Sequence, residues 1–344
     1  MKPSDNESAM PNSKAAFSSL SNEVAERRKS SGRNPSVAIA FVLIVAFLCL
    51  FLAGGRVVQA QQLNVQCNAD RAFGYLEQIC RIGPRISGSD GMLRQQQLII
   101  EHFQKFGCEI RAQTFDAAHP LNGRPVRMTN LILSWNPRAK ERVLLCCHYD
   151  TRPYPDRDFL RPRGTFIGAN DGASGVALFM ELAHHLRQIR PTYGVDLVFF
   201  DGEELVYSNR DKYFLGSEYF ATWYREHPPE YRYVCGVLVD MIGGKRLRIY
   251  QERNSVRLAG KVTQSVWNTA KQMRVKEFIH RVKHEVRDDH LPLNQIARIP
   301  TCDIIDFDYP AWHTTKDLPS ACSGESLATV GNVLLQWLTE VRVE

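Results

Sequence analysis

The chain has few of the features that mark nucleic-acid-binding proteins or repeat proteins, namely long basic stretches and recurring sequence units. Its 344 residues have a net charge of only +6, and no long basic stretch occurs after residue 60. The charge pattern therefore gives no support for binding to nucleic acid. No unit of about 20–50 residues recurs along the chain, which excludes a solenoid or a propeller. Hydrophobic residues make up 44% of the sequence, enough for one large domain or two small ones.

The nine cysteines show no paired C-x-x-C spacing, so the sequence does not predict a structural zinc site built from them. Cys49 lies in a hydrophobic run, and the apolar surroundings of Cys146 and Cys147 are typical of packed residues. If the domain is exported, a disulfide could form among the others. The sequence does not indicate a pairing among these six: Cys67, Cys80, Cys108, Cys235, Cys302 and Cys322.

The N-terminal region has too few apolar residues to form a core. Residues 1–36 are rich in Ser, Asn and charge, which predicts a disordered polar segment. Four basic residues between positions 27 and 33 precede an uncharged apolar run at 37–55. That run has about the length of a membrane span, roughly 20 residues. Residues 56–69 are predicted to be a linker, and residues 70–344 a catalytic domain.

Two interpretations of the run at 37–55 stay open. It is either an uncleaved membrane anchor or a long signal peptide cut after residues 58–60, which would give a secreted protein. The run exceeds the about 7–15 residues of a usual signal core, which favours the anchor. Basic residues before it predict a cytoplasmic N-terminus and a catalytic domain on the non-cytoplasmic side. A buried core helix is disfavoured because so many turns carry no charge.

From residue 70 onward, predicted helices alternate with predicted strands. This alternation predicts an α/β fold, a three-layer αβα sandwich with a mostly parallel central sheet. Ligands of such folds gather at the carboxyl ends of the strands. The predicted helices are 70–82, 88–107, 172–189, 216–226, 258–273 and 325–341. The predicted strands are 130–134, 142–147, 195–200, 234–239 and 301–305, with a further candidate at 245–250.

Glu203 and Glu204 follow an apolar run, at the point where a buried strand is predicted to end. Two adjacent carboxylates at such a position are costly, because repulsion and desolvation must be offset by cations or by a shared proton. Neighbouring side chains point in different directions and can therefore take different roles. One can bind a metal ion while the other moves protons.

Other strand ends supply further ligand types. His148 and Asp150 follow the strand at 142–147, Asp240 follows the strand at 234–239, and Asp171 precedes a helix. Each has an ordinary interpretation when taken alone, such as a core histidine, a turn cap or a helix N-cap. Taken together with His313, they converge on one edge of the predicted sheet. Two histidines and several carboxylates with open positions favour a catalytic zinc site.

Four motifs resemble the zinc aminopeptidase family M28, in an order and spacing that match from about residue 70 to the C-terminus. They are His148-Tyr149-Asp150, Gly168-Ala169-Asn170-Asp171-Gly172-Ala173-Ser174-Gly175, Asp201-Gly202-Glu203-Glu204 and Trp312-His313-Thr314. The resemblance implies that the metal ligands are His148, Asp171, Glu204, Asp240 and His313. It also implies that Asp171 bridges when two zinc ions are present, that Glu203 is the general base, and that Asp150 orients His148.

The family has two main chemistries. One branch hydrolyses N-terminal residues with two zinc ions. The other branch, glutaminyl-peptide cyclotransferase, closes an N-terminal glutamine into pyroglutamate and releases ammonia. The resemblance implies that this branch uses one zinc ion held by Asp171, Glu204 and His313, with His148 and Asp240 as candidates for a second metal. In both cases the expected partner is a peptide with a free N-terminus.

Several segments resemble the cyclotransferase branch. They include residues 136–140, the long stretch between Glu204 and residue 216, and the doubled aspartate Asp288-Asp289, which is the sharpest of these signals. The resemblance implies that Asp288 joins Glu203 and Asp240 in an acidic hydrogen-bond network that raises the pKa of Glu203. It also implies that Trp312 forms an apolar wall of the substrate pocket.

Two segments depart from the animal enzymes of this branch. Residues 207–210 stand where those enzymes carry a tryptophan, and Cys302-Asp303 stand where they carry a histidine. The departures affect the shape of the predicted pocket more than its metal chemistry. Residues 152–163 are predicted to be a surface loop near the pocket, with substrate entry as their role. A scaffold ectodomain without catalysis is disfavoured because every predicted ligand and Glu203 are intact.

Overall fold

The protein is described here from a computed structural model, which covers residues 66–189 and 191–342. The predicted span at 37–55 and the predicted segments before residue 66 lie outside these residues. Within the part of the chain that is covered, no helix combines the length and apolar composition needed to cross a membrane. All eight cysteines in this part are unpaired.

Seven α-helices and eight β-strands make up the covered part of the chain. The helices are α1 (Ala69–Cys80), α2 (Asp90–Phe103), α3 (Ser174–Ile189), α4 (Leu215–Glu226), α5 (Arg253–Gln272), α6 (His290–Gln295) and α7 (Gly324–Glu340). The strands are β1 (Glu109–Ala118), β2 (Pro125–Trp135), β3 (Glu141–His148), β4 (Gly194–Phe200), β5 (Arg232–Asp240), β6 (Ile249–Gln251), β7 (Phe278–Val282) and β8 (Thr301–Ile305).

Six strands form one sheet in the order β1-β2-β4-β3-β5-β8. The pairings β4 with β3, β3 with β5 and β5 with β8 are parallel. The β1–β2 and β2–β4 pairings are antiparallel. The carboxyl ends of the four parallel strands therefore lie along one edge of the sheet. Strands β6 and β7 form a separate parallel pair.

Alternation along the strands sorts the core into two layers. On β3, Val143, Leu145 and Cys147 face a large apolar cluster that includes α1, α3, α5 and α7. Leu144 and Cys146 face a smaller cluster with residues of α4 and α6 on the other side. A strand buried on both faces reads as a continuous apolar run, as β3 and β4 do. The predicted three-layer αβα sandwich with a mostly parallel sheet is confirmed.

Several element predictions need correction. Strand β1 was not predicted, because its apolar and polar residues do not alternate regularly and most of its side chains are at least partly exposed. The candidate strand at 245–250 is only Ile249–Gln251. Helix α5 starts at Arg253 instead of residue 258, because the Glu252 side chain caps its first turn. A non-helical residue, Ala259, interrupts the helix close to the predicted start.

Candidate metal centre

Tight turns bring the predicted site residues to the carboxyl edge of the sheet. After β4, Gly202 adopts φ +78°, and a Cβ there would lie 2.7 Å from the sulfur of Met128. After Asp171, Gly172 adopts φ +96°, and a Cβ would lie 2.5 Å from the carbonyl oxygen of Asp150. Glycine is the residue that tolerates this conformation in so little space. The turns set the directions in which Glu203, Glu204 and Asp171 leave the backbone.

Asp171 and His313 are held close together by one buried carboxylate. Asp317 accepts hydrogen bonds from the backbone N–H groups of Asn170 and Asp171, at 2.8 and 3.1 Å. The Asn170 side chain accepts a hydrogen bond from the N–H of Gly243 and donates one to the carbonyl of Met241. The loop after β5, the loop before α3 and the loop that carries His313 are thereby fixed to one another.

Asp171, Glu204 and His313 form one cluster whose ligand atoms lie within 4.8 Å of one another. Nε2 of His313 lies 3.4 Å from Oδ2 of Asp171 and 3.5 Å from Oε1 of Glu204. All three residues are buried. The three ligands that the family resemblance implies for a single zinc ion therefore share one small volume.

A second cluster shares Asp171. It contains His148, Asp171 and Asp240. Nε2 of His148 lies 3.4 Å from Oδ1 of Asp171 and 3.2 Å from Oδ1 of Asp240. Because each oxygen of Asp171 faces a different histidine, its carboxylate is placed as a bridge between the clusters would be.

The donors fit a divalent cation. Oδ2 of Asp171 and Oε2 of Glu204 are buried and have no hydrogen-bond partner within the described residues. Buried carboxylate oxygens without a partner are costly, and a bound metal ion would satisfy them. Carboxylate and imidazole donors suit zinc, and three ligands leave a coordination position open for chemistry.

The two adjacent glutamates differ in proton affinity. Burial and the neighbouring Glu204 raise the pKa of Glu203 well above its usual range. Burial opposes ionisation of Glu204 as well, but the charges of His313 and Arg152 outweigh it and lower the pKa of Glu204 to about 2. With such a separation of pKa values, Glu203 can hold a proton while Glu204 stays negatively charged.

Glu203, Asp240, Asp288 and Trp312 line one cavity of about 560 Å³ beside the clusters. Asp288 is only 4% exposed, and burial together with Asp240 and Asp289 raises its pKa well above the usual range. The half-buried ring of Trp312 packs against Phe307, with ring centroids 4.6 Å apart. All four residues thus lie on the wall of one cavity, and the acidic hydrogen-bond network among Glu203, Asp240 and Asp288 stays a prediction.

Asp150 has a wider set of contacts than predicted. Its Oδ1 lies 3.6 Å from Nδ1 of His148, slightly beyond hydrogen-bond length. Its carboxylate also accepts hydrogen bonds from the backbone N–H groups of Glu203 and Glu204, at 3.2 and 2.9 Å. Asp150 therefore fixes the backbone of the glutamate pair, in addition to lying beside His148.

The sequence predicts a surface loop at 152–163, but Arg152 and Asp156 of this segment contact predicted metal ligands. Arg152 is 3% exposed and donates a hydrogen bond to Oε1 of Glu204 at 2.7 Å. Asp156 lies 3.0 Å from Nδ1 of His313. The available signal in the sequence was the position of Arg152, a charged residue only four positions after the end of the apolar strand β3.

The two departures from the animal cyclotransferases have different outcomes. Asp303 is fully buried and lies 4.0 Å from Nδ1 of His290, outside the cavity lining. Asn209 lines the cavity from the 207–210 segment, and Tyr213 and Phe214 add aromatic surface nearby. The 207–210 segment thus contributes Asn209 to the pocket wall, whereas Cys302-Asp303 does not line this cavity.

Comparisons with known proteins agree with this geometry. Residues 130–338 match Peptidase family M28. Glutaminyl-peptide cyclotransferase of Bos taurus is 26% identical over 289 residues, which cover 74% of this chain and 78% of that protein. The crystal structure of Fimbriiglobus ruber glutaminyl cyclase superposes with a TM-score of 0.78 at 40% identity, covering 80% of this chain and 96% of that one.

A Zn-dependent exopeptidase from Parabacteroides distasonis is also similar, with a TM-score of 0.75, 29% identity and coverage of 80% of this chain and 99% of that one. The sheet and its acidic edge thus define an α/β protein of the metal-dependent peptidase class. The chain belongs to Peptidase family M28.

Asp150→Asn is expected to disturb the glutamate pair. An amide offers one acceptor oxygen and turns an NH₂ group toward one of the two backbone donors. We expect the free energy of unfolding to fall by about 1–3 kcal/mol and zinc per chain to decrease, as measured by denaturant titration and metal analysis. Asp116→Asn is the control, because its pair with Arg127 is exposed and contributes less than about 1 kcal/mol. Unchanged stability and zinc content in the Asp150 variant would contradict this role.

Proposed function

We propose that this chain is a zinc-dependent glutaminyl-peptide cyclotransferase, which converts an N-terminal glutamine of peptides to pyroglutamate and releases ammonia. The observation that carries the proposal is the buried Asp288 on the wall of the cavity that also contains Glu203 and Asp240. The similarity to glutaminyl cyclase structures and to cyclotransferases supports it. The doubled aspartate is the feature that most resembles this branch of the family.

We further propose that one zinc ion is held by Asp171, Glu204 and His313. When bound, it supplies Lewis-acid polarisation of the γ-carboxamide of the substrate. The orphaned carboxylate oxygens of Asp171 and Glu204 support this assignment. The low pKa of Glu204, about 2, keeps a negative charge available for the ion over the physiological pH range.

The side chains of the protein then have separate tasks. The cavity holds the peptide bent, so that its α-amine lies beside the γ-carbonyl carbon, and this proximity supplies much of the rate. The amine nitrogen forms a bond to that carbon, and the bond from the carbon to the amide nitrogen breaks. Glu203 accepts the proton lost by the amine and delivers it to the departing nitrogen, which leaves as ammonia.

Glu203 needs a pKa near the working pH for both transfers. Its burial beside Glu204 raises the pKa, and Asp288 acts in the same direction. Trp312 supplies an apolar wall that excludes water, whose attack on the same carbon would give a glutamate product. The acidic residues around Glu203 therefore serve catalysis by raising its pKa toward the working pH.

The second candidate function is aminopeptidase hydrolysis with two zinc ions. The cluster of His148, Asp171 and Asp240 favours it, because it shares Asp171 with the first cluster. In that mechanism the two clusters would hold two zinc ions that activate a water molecule, and Glu203 would accept the proton of that water. Similarity to a Zn-dependent exopeptidase is consistent with this alternative.

Product analysis separates the two functions. We expect the purified chain to release ammonia and form pyroglutamate from Gln-peptides, to contain one zinc per chain, and to leave Leu-amide intact. Ammonia is measured by a coupled assay, the peptide mass by mass spectrometry, and zinc by elemental analysis. Free leucine from Leu-amide together with two zinc ions per chain would overturn the cyclotransferase proposal.

Glu203→Gln is expected to reduce kcat by at least about 100-fold, because a carboxamide cannot shuttle the proton. Zinc content should stay at the wild-type level, since Glu204 and not Glu203 belongs to the metal cluster. Steady-state kinetics and metal analysis on the same sample provide the measurement. Glu230→Gln is the control, because Glu230 pairs with Lys140 on the surface and should leave kcat unchanged. Wild-type turnover in the Glu203 variant would show that the base is wrongly assigned.

We also propose that residues 37–55 anchor the catalytic domain on the non-cytoplasmic side of a membrane. The support is the uncharged apolar run and the basic residues that precede it. N-terminal sequencing of the protein extracted from membranes should find the segment before residue 37 intact. A mature protein that starts near residue 61 would instead indicate a cleaved signal peptide and a secreted enzyme.

A further inference from the structure

Two residues of the loop after β3 connect two of the proposed metal ligands. Oδ1 of Asp156 lies 3.0 Å from Nδ1 of His313. Arg152 contacts both oxygens of Asp156, at 3.0 and 3.2 Å, and donates a hydrogen bond to Oε1 of Glu204 at 2.7 Å. A continuous chain of charge-assisted contacts therefore runs from the imidazole of His313 through Asp156 and Arg152 to the carboxylate of Glu204.

These contacts divide the ligand atoms into two sets. On His313, Nδ1 faces Asp156, whereas Nε2 faces Asp171 at 3.4 Å. On Glu204, Oε1 accepts the hydrogen bond from Arg152, whereas Oε2 is buried without a partner in the described part of the chain. His313 thus turns Nε2 toward the cluster while Nδ1 is held from behind. On Glu204, the oxygen held by Arg152, Oε1, is also the one that lies 3.5 Å from Nε2 of His313.

The backbone of His313 needs this support. Its φ is +54°, a left-handed conformation that is strained for a residue other than glycine and persists only where the surroundings impose it. The N–H of Arg157 donates a hydrogen bond to the carbonyl of His313 at 3.1 Å. Asp158 accepts a hydrogen bond from the N–H of Thr315 at 2.9 Å. The loop after β3 therefore holds the His313 loop at the ligand itself and two residues after it.

We propose that Asp156 and Arg152 are positioning residues for the metal ligands. Asp156 accepts a hydrogen bond from Nδ1–H of His313, which leaves the lone pair on Nε2 for the metal ion. Arg152 holds Oε1 of Glu204 and thereby fixes the orientation of that carboxylate beside Nε2 of His313. This inference rests on the proposed metal role of His313 and Glu204. Loss of such supporting contacts typically weakens metal binding about 10–100-fold.

If Asp156 served only to stabilise the fold, its removal would lower the stability of the metal-free chain and leave the zinc affinity unchanged. The side chain of Asp156 is 44% exposed, so water screens its contacts with the buried Arg152 and His313 and reduces their contribution to folding stability. Removal of Asp156 should therefore leave the unfolding temperature of the metal-free chain almost unchanged, while the zinc affinity falls. Metal affinity and metal-free stability can be measured separately, so the two roles are distinguishable.

The test uses the full chain carrying Asp156→Ala or Asp156→Asn. We expect the zinc dissociation constant, measured by competition with a chromophoric chelator, to rise about 10–100-fold in the alanine variant. The asparagine variant should recover most of the affinity, because its Oδ1 accepts the same hydrogen bond from His313. The visible absorption spectrum of the cobalt-loaded protein should change in the alanine variant and resemble the wild type in the asparagine variant.

Arg152→Lys provides a second arm, in case the alanine variant fails to fold. A single ammonium group cannot contact Asp156 and Glu204 as the guanidinium does, so this variant should also lose zinc affinity. Asp308→Ala is the matched control. Asp308 lies 3.0 Å from Nε2 of His284, the same kind of carboxylate–imidazole pair, away from both clusters, and the zinc affinity should not change.

Wild-type zinc affinity in both the Asp156→Ala and Arg152→Lys variants would overturn the inference while the proposed function stands. A chain that loses zinc affinity in these variants, yet forms no pyroglutamate in the wild type, would keep the inference and overturn the proposed cyclotransferase. Absence of zinc binding by the wild type would overturn both.

Discussion

The concentration of buried carboxyl groups at one edge of the sheet is the constraint on which the rest of the structure depends. Glu203, Glu204, Asp171 and Asp288 are each less than 10% exposed, and their repulsion and desolvation oppose folding. His148, His313 and Arg152 are the positive partners that the structure brings to them. These partners do not contact every carboxylate oxygen. Oδ2 of Asp171 and Oε2 of Glu204 have no hydrogen-bond partner within the described residues, and a metal ion would bind at these two residues.

The fold holds the acidic groups in place through strands packed on both faces and through loops that buried side chains fix. Strands β3, β4 and β5 are packed on both faces, so that their ends are fixed relative to one another. Buried side chains then connect the loops: Asp317 holds the backbone before Asp171, and Asp150 holds the backbone of the glutamate pair. The acidic groups cannot move apart to relieve their repulsion. Proton uptake by Glu203 and the counter-charges on Glu204 relieve it instead, and this difference between neighbours makes chemistry possible.

Much of this could be predicted from the sequence, because the signals are local. Apolar runs that end in His148 or in Glu203-Glu204 indicate both a buried strand and a polar strand end, and the parallel order of the strands brings those ends together. Strand β1 escaped prediction because an edge strand with mixed surroundings has no regular alternation. The pairing of Asp156 with His313 escaped because it joins two loops distant in the sequence. The double role of Asp150 depends on backbone hydrogen bonds, which leave no mark on residue type.

The distance in sequence between the ligands has a consequence for how the protein is made. Asp171 and Glu204 emerge from the ribosome long before His313, and the Asp317 carboxylate that fixes the loop around Asp171 emerges later still. A chain made only as far as Glu204 therefore carries the two carboxylates of the Asp171–Glu204–His313 cluster and the imidazole of His148 beside Asp171, but lacks the imidazole that completes this cluster. The nitrogen donor of that cluster thus joins two carboxylates that were synthesised more than a hundred residues earlier, and the complete donor set exists only once these distant segments have folded together.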